Sequence, residues 1–303
     1  MIPRLLALLL TLLSVSSNSI AGEKEDRLIA KLTLAYGGEA LKNLSSYTIV
    51  DHFLTPTTGQ SHSPSLVEVS RSKQVLTVDI KNNRATYDTW NDGRSGAFQG
   101  AVISDGETAY SVKYPVATYG QANDPHVFAG GSMRTSDTVL AYELSKACDK
   151  AVLKDDARFM NRLHHVITMP FPSSSDLNLY VDAQTSLISK MVRENPNLGD
   201  LSYVFSGHIK ISGLVSATSI NFFIAGQPSL ISTRHSLTFN QALTASSVTL
   251  PNDLEAEGER IDTTEMVINK ISDRLYHIGQ NGGFSLFADT SIGIVAAGGV
   301  TPD

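Results

Sequence analysis

Metal-dependent hydrolysis needs imidazoles and carboxylates close enough together to bind one ion and activate a water molecule. The eight histidines are scattered along the chain, at positions 52, 62, 126, 164, 165, 208, 235 and 277. Only His164 and His165 are neighbours, and adjacent residues on a strand point to opposite faces of the sheet. We therefore predict no metal site, and one buried and one exposed imidazole at this pair.

Nucleophilic and acid–base catalysis also lack a convincing residue pattern. Ser61 lies in Gly-Gln-Ser-His-Ser, which lacks the second glycine of a Gly-x-Ser-x-Gly elbow and the strand–turn–helix context around it. Asp88, Asp92 and Asp105 each lie at a predicted turn or strand end, where aspartate commonly accepts backbone hydrogen bonds. The glycines between 93 and 100 do not lead from a strand into a helix, so no phosphate loop is indicated. The sequence thus predicts no catalytic and no cofactor-binding residue.

Apolar binding by aromatic side chains on predicted strands is the remaining candidate chemistry. The candidates for lining a ligand cavity are Tyr47, Phe53, Trp90, Tyr110, Phe205, Phe222 and Phe239. A concave sheet lined by these rings could hold a lipid or an acyl chain. The alternative is that helices fill the concavity and the rings belong to the core, which is the commoner role of large apolar residues on strands.

The elements that must position these residues are two helices and many short strands. Apolar residues recur at helical spacing within Glu23–Leu44, where Gly37-Gly38 offers a left-handed helix end. Ser136 or Asp137 can cap a second helix that continues to about Lys150. Most of the remaining chain consists of short apolar or alternating runs between turn signals such as Asp105-Gly106. We predict an α+β protein in which a curled antiparallel sheet, a half-barrel, is wrapped around two helices.

The first 21 residues have the composition of a secretory signal peptide. Arg4 precedes the apolar run Leu5–Leu13, and Ser19-Ile20-Ala21 is a small-x-small cleavage site. A retained amphipathic anchor is the alternative. We predict a periplasmic or secreted protein with no stable membrane span. Removing this leader takes Arg4 from the 24 basic residues against 30 acidic ones, so the net charge becomes −7, which argues against nucleic acid or an anionic membrane as partner.

Short motifs in the first part of the chain resemble the lipoprotein-carrier type of half-barrel. These are Ala35-Tyr-Gly-Gly-Glu-Ala-Leu-Lys-Asn-Leu44 before a strand, Tyr180-Val-Asp182 with a threonine-containing turn, and Gly213 opening a late strand. The resemblance implies that residues 22–250 form a carrier-like accessory domain. An acidic, unpatterned segment, 251–263, is predicted to be a linker.

The last part of the chain resembles the opening strands of the metallo-β-lactamase (MBL) fold. Three apolar runs, Arg274–Ile278, Phe284–Asp289 and Ile292–Ala296, predict a β-meander within residues 264–303. The family begins an αββα sandwich in this way, and its metal motif, His-x-His-x-Asp-His, comes later. No such motif occurs in this sequence. The resemblance therefore implies a meander from an incomplete MBL-type domain, with zinc expected only in a complete parent hydrolase.

Two functional hypotheses follow from these resemblances. The favoured one is an exported, non-catalytic fragment related to MBL-fold metal-dependent hydrolases, whose partner would be the missing hydrolase domain. The other is a periplasmic binding module that holds an apolar or acyl ligand in the half-barrel. The tail, 264–303, is expected to be more exposed than its composition warrants, because two or three strands cannot bury much apolar surface.

Overall fold

The computed structural model describes residues 22–57, 67–93, 96–105, 107–114, 118–121, 136–147, 150–171, 175–244, 248, 254–256, 266–280 and 283–297. The predicted leader, 1–21, and Ser61 lie outside these residues. The described residues cluster into two compact units, Met1–Glu255 and Ala256–Asp303. No helix in the described part of the chain is both long and apolar enough to cross a membrane.

Three helices occur in the described part of the first unit: α1 (22–35), α2 (Glu39–Lys42) and α3 (Asp137–Lys146). The helix α1 ends at the predicted glycine pair, because Gly37 and Gly38 have φ angles of 128° and 60°. The N-terminus of α3 is capped as predicted, since the Val139 N–H donates to Ser136 Oγ. This helix ends at Lys146, earlier than the predicted Lys150.

Seventeen strands begin in the described part of the first unit. They are β1 (Ser46–Thr57), β2 (Glu68–Asp79), β3 (Arg84–Gly93), β4 (Gly96–Ser104), β5 (Ala109–Tyr114), β6 (Thr118–Gln121), β7 (Val152–Leu153), β8 (Ala157–Phe159), β9 (Arg162–Met169), β10 (Leu177–Asp182), β11 (Ile188–Arg193), β12 (Leu201–Ser206), β13 (Ile209–Ile211), β14 (Leu214–Ser216), β15 (Ser219–Ile224), β16 (Gln227–Phe239) and β17 (Glu255–Ala256).

One large antiparallel sheet contains most of these strands, in the order β6-β5-β4-β3-β2-β1-β16-β15-β12-β11-β10-β9-β7, and β8 also pairs with β9. The first and last long strands of this sheet, β1 and β16, pair with each other near its centre. On its other edge, β1 pairs with β2. A separate hairpin joins β13 and β14. The strands β12 and β13 are separated at Gly207, where φ is positive and a Cβ would lie 2.4 Å from Thr218 Oγ1.

The helices pack on one face of this sheet, and the sheet curls around them. One buried cluster joins Leu32 of α1 and Leu140 of α3 to Leu76 of β2 and Ile167 of β9. In sheet order, β2 and β9 are seven strand spacings apart, about 34 Å in a flat sheet. A helix with its side chains is only about 10–12 Å wide. One cluster can reach both strands only if the sheet is curved, so the first unit is mostly β structure in an open, curled sheet.

The second unit is a four-stranded antiparallel meander. Its strands are β18 (Val267–Ser272), β19 (Leu275–Gln280), β20 (Gly283–Thr290) and β21 (Gly293–Ala297), paired in chain order. The three predicted runs correspond to β19, β20 and β21, and the sequence analysis missed β18. Every residue of β18 and β21 is exposed. The predicted linker 251–263 lies outside the described residues, except for 254–256.

The meander carries exposed apolar residues on both faces. The strand register places Val267 and Val295 on one face and Ile268 and Ile294 on the other. All four side chains are at least 40% exposed. This exposure is what the sequence analysis expected of the tail, because a meander of this size has no second layer of its own.

Candidate ligand cleft

The strand register divides the seven predicted aromatic residues between the two faces of the large sheet. Residues directly opposite each other on paired strands point to the same face. The residues that share the helix-covered, concave face are Tyr47, Phe53, Phe205, Phe222 and Phe239. Trp90 and Tyr110 lie on the opposite face, where Trp90 stacks under the Lys73 ammonium group and Tyr110 contacts Tyr119 edge-on. These two rings therefore do not line the concavity.

Most of the five concave rings are core residues. Tyr47, Phe205 and Phe239 belong to the buried cluster that includes the helices, and Phe53 is also buried. Phe222 is half-buried and stacks on Tyr203, with ring centroids 4.5 Å apart. The helices thus fill much of the concavity, as the core alternative anticipated.

A cleft remains between α3 and the end of the sheet formed by the β2–β3 hairpin. Its volume is about 300 Å³. Its apolar lining consists of Tyr47, Val78, Ile80, Ala85 and Val139. Tyr47 is therefore the one predicted aromatic that borders this space.

The polar rim of the cleft carries two cations, Arg84 and Lys146, and two carboxylates, Asp79 and Glu143. These four residues line the cleft beside its apolar floor. The Lys146 ammonium group lies 3.9 Å from the Glu143 carboxylate and 3.8 Å from the centre of the Tyr142 ring. Burial raises the pKa of Glu143, against the opposing effect of Lys146. Arg84 and Lys146 are therefore the groups of this rim with which an anionic ligand end could pair.

A buried polar network fixes α3 against the sheet and so defines one wall of the cleft. Asp137, the first residue of α3, is fully buried and accepts a 2.8 Å hydrogen bond from the Tyr36 hydroxyl. The Ala217 N–H donates to both Asp137 oxygens, at 3.1 and 3.2 Å. Nε2 of His208 lies 3.1 Å from Asp137 Oδ2. The Ile188 N–H donates to the Tyr36 oxygen, so the same network reaches β11.

A second buried carboxylate continues this network across the central strands. The Arg234 guanidinium of β16 pairs with Asp51 of β1, with Nε 3.1 Å from Oδ1. Nη1 of Arg234 also donates to Ser216 Oγ and to the Ala217 carbonyl. Ser216 in turn donates to Asp137, so one chain of hydrogen bonds links α3 to both strands of the β1–β16 pair.

Opposing effects set the charge of Asp137. Burial by itself raises the pKa of this carboxyl group. The hydrogen bond and charge of His208, the charge of Arg234 and the Ala217 N–H outweigh burial, and the net shift of the pKa is downward. Asp137 is therefore ionised at neutral pH and satisfied by its partners, as expected of a structural buried anion.

The histidine pair has the environments that strand alternation predicts. His164 is 1% exposed, whereas the side chain of His165 is 35% exposed and its Nδ1 lies 2.8 Å from Asp156. Nε2 of His164 lies 3.8 Å from Asp182. Among the residues that the structure describes, no group of three or more histidine, cysteine, aspartate or glutamate side chains is arranged to bind a metal ion.

The sequence analysis missed the two rim cations of the cleft. Arg84 follows the tight β2–β3 turn, and Lys146 ends α3, about sixty residues later. The two come together only through packing of α3 on the sheet, which no local pattern encodes. Val139 of α3 provides the apolar part of the wall that this helix forms.

Comparison with known proteins gives structural similarity without sequence similarity. No protein-family model and no curated protein matches the chain. A proposed outer-membrane lipoprotein-sorting domain from Vibrio parahaemolyticus covers 75% of this chain and 97% of its own, at 11% identity and a TM-score of 0.48. A DUF1329 family protein from Desulfovibrio piger covers 76% and 99%, at 11% identity and a TM-score of 0.49. A LolA superfamily protein from Nitrosomonas europaea covers 71% and 98%, at 11% identity and a TM-score of 0.46.

With TM-scores below 0.5 and 11% identity, this similarity carries no conclusion about what the chain binds. None of these three structures is described as a protein of the MBL fold.

Proposed function

We propose that the protein is an exported binding module that holds an acyl chain with an anionic end in the cleft between α3 and the sheet. The observation that supports this proposal is the pairing of an apolar floor with two rim cations in one cavity. Tyr47, Val78 and Val139 provide the floor, and Arg84 and Lys146 stand at the rim. Export is inferred from the leader-like composition of residues 1–21.

The size of the cleft suits one short chain. Ligand cavities commonly measure about 300–1,000 Å³, so the 300 Å³ cleft lies at the lower end of this range. The apolar chain would gain from leaving water, and the charged end would stay at the rim beside Arg84.

Calorimetric titration of the detergent-free protein with decanoate and with decanol tests both halves of this proposal. We expect saturable decanoate binding and at least tenfold weaker decanol binding, because only decanoate engages the rim cations. Arg84→Glu should weaken decanoate binding at least tenfold. Arg71→Glu makes the same charge change on the exposed surface of β2, away from the cleft lining, and should leave binding within twofold of the wild type.

The proposal fails if neither amphiphile binds, or if Arg71→Glu weakens decanoate binding as much as Arg84→Glu does. Equal loss would show that the protein responds to its overall charge and that the cleft has no special role. Circular dichroism of both variants checks that each retains the wild-type fold.

A second candidate function remains the one favoured by the sequence: a non-catalytic fragment related to MBL-fold hydrolases. The observation in its favour is the apolar character of both faces of the β18–β21 meander, since strands at the centre of a sandwich are covered on both sides. Translation of the genomic DNA downstream of the coding region tests it. A His-x-His-x-Asp-His motif in any of its three frames would support this relationship, and a long non-coding gap would count against it.

A further inference from the structure

A second groove in the first unit lies away from the cleft, between α1 and the strands at the far edge of the sheet. It encloses about 550 Å³. Three cations of α1 line it, together with Leu153 of β7, His165 of β9 and Gln184 of the β10–β11 turn. None of these residues borders the proposed acyl cleft, so the groove is an independent feature.

Helical spacing collects the three cations on one face. Lys24, Arg27 and Lys31 are at positions i, i+3 and i+7 of α1, which fall on the same side of a helix. Asp26 is two residues from Lys24 and projects from the opposite side. The acidic balance of the whole chain, with its net charge of −6, argued against an anionic partner. The fold brings the three cations to one groove, although α1 also carries Glu23, Glu25 and Asp26, and the Leu153 N–H donates to the Glu25 carboxylate at 3.2 Å.

These cations are largely free to bind a ligand. Within the described part of the chain, Lys24 and Lys31 have no hydrogen bond or ion pair. Arg27 contacts Glu23 at 3.3 Å, but both side chains are more than two-thirds exposed. Exposed pairs of this kind contribute little and exchange readily. An incoming anion therefore competes with water and one weak ion pair.

The opposite wall of the groove is held in place by Asp182. Oδ1 of Asp182 accepts hydrogen bonds from the N–H groups of Gln184 and Thr185, which fixes the β10–β11 turn. Nη2 of Arg162 donates to Gln184 Oε1 at 3.2 Å. Because Arg162 engages the amide oxygen, the Gln184 amide nitrogen is left as a donor.

We infer that this groove binds a ligand with two or more phosphate-type negative charges. Lys24 and Lys31 are seven residues apart, or about 10 Å along the helix, so one small monoanion cannot pair closely with both. A polyphosphate, or the phosphates of two neighbouring anionic phospholipid headgroups in a membrane, would present such charges at this spacing. Leu28 and Leu153 add an apolar floor beside the cations.

Titration of the full chain with sodium tripolyphosphate in low-salt buffer tests this inference. We expect one saturable site, and at least tenfold weaker binding after the paired change Lys24→Glu and Lys31→Glu. The matched control is Lys150→Glu with Lys210→Glu, which makes the same change in net charge at exposed positions outside the groove. The control pair should stay within twofold of the wild type.

A sedimentation assay with vesicles distinguishes the two sources of phosphate. Vesicles of phosphatidylglycerol and of phosphatidylcholine are compared for the wild type and for both paired variants. If the wild type binds phosphatidylglycerol vesicles and only the Lys24/Lys31 variant loses this binding, the groove is assigned to lipid headgroups. If the wild type binds tripolyphosphate but not the vesicles, the groove is assigned to a soluble phosphate.

The inference is overturned if the wild type binds neither tripolyphosphate nor phosphatidylglycerol vesicles, or if the two paired variants lose binding equally. Failure of decanoate binding leaves this result unaffected, because Arg84 and the acyl cleft are separate from α1. The two proposals therefore succeed or fail independently.

Discussion

At the residue scale, Asp137 has the most interactions of any side chain around the cleft. It is a fully buried carboxylate that Tyr36, Ala217 and His208 contact directly. If Asp137 loses its charge, these partners no longer face an anion. A buried charged or polar group that has lost its partner destabilises the fold. Its position at the first turn of α3 adds a favourable interaction with the helix dipole.

Asp137→Asn should reduce the free energy of unfolding by about 3–5 kcal/mol, the usual cost of removing one partner from a buried charged pair. Urea denaturation followed by circular dichroism measures the change. Asp26→Asn is the control, because Asp26 is exposed on α1, and it should leave the midpoint unchanged. A loss below 1 kcal/mol for Asp137→Asn would show that the network does not hold α3.

The lowered pKa of Asp137 also predicts a pH dependence with a defined sign. Because the folded-state pKa lies below the unfolded value of about 3.9, the stabilisation is complete above that pH and is lost as the pH falls through the folded-state pKa. Urea midpoints between pH 2.5 and 6 should therefore fall at the acidic end for the wild type. In Asp137→Asn this component of the fall should be absent. Parallel curves for the two proteins would contradict the assignment.

At the element scale, the α1–α2 connection is fitted closely against the β13–β14 hairpin. The Val215 N–H donates to the Tyr36 carbonyl, and Gly37 has a φ of 128°. A Cβ at Gly37 would lie 2.5 Å from the Gly213 carbonyl oxygen. Both the backbone conformation and the contact therefore require glycine.

Gly37→Ala should cost more stability than Gly226→Ala. Gly226 also has a positive φ, 79°, but nothing lies within 4 Å of its Cβ position. Backbone strain alone is expected to cost about 1–2 kcal/mol at either site, and the clash with Gly213 adds to this at Gly37. Thermal and urea denaturation of the two variants compare them directly. Equal losses in the free energy of unfolding would show that the β13–β14 hairpin can move away from the added Cβ without destabilising the fold.

The elements that the sequence predicted well were those with local signals. Gly37-Gly38, Ser136 and Asp105 each terminate or cap an element through their own backbone or side chain, and Asp105 accepts hydrogen bonds from both Glu107 and Thr108. Local signals do not account for β2, which continues through Ser72 without a break. That residue pairs with both neighbouring strands, so tertiary pairing overrides its weak strand propensity.

The cleft itself could be predicted only in part, because it too depends on tertiary pairing between distant strands. Alternation in β1 correctly placed Tyr47 and Phe53 on one face. Trp90 and Tyr110 were assigned to the wrong face of the sheet, because face assignment across several strands depends on register, and one residue of shift reverses every side chain. The Asp51–Arg234 pair spans 183 positions of sequence, and no periodicity in the chain indicates it.

At the scale of the whole molecule, the two units differ in how they bury apolar residues. The first has a continuous core of helices and sheet, whereas β18 and β21 of the second are exposed along their whole length. Limited proteolysis should therefore cut first between 251 and 264 and leave a resistant fragment that begins near residue 22. Mass spectrometry of the digest identifies the cut. Initial cleavage within 137–239 would contradict this division of stability.

The central claim is that the first unit holds an apolar ligand beneath α3. Native mass spectrometry of protein that has been purified without detergent tests it most directly, because a ligand acquired on export would stay bound in the desolvated complex. The account predicts a mass adduct consistent with a fatty acyl compound, lost in Arg84→Glu and retained in Arg71→Glu. Protein with no adduct, together with no rise in melting temperature on addition of decanoate, would contradict it.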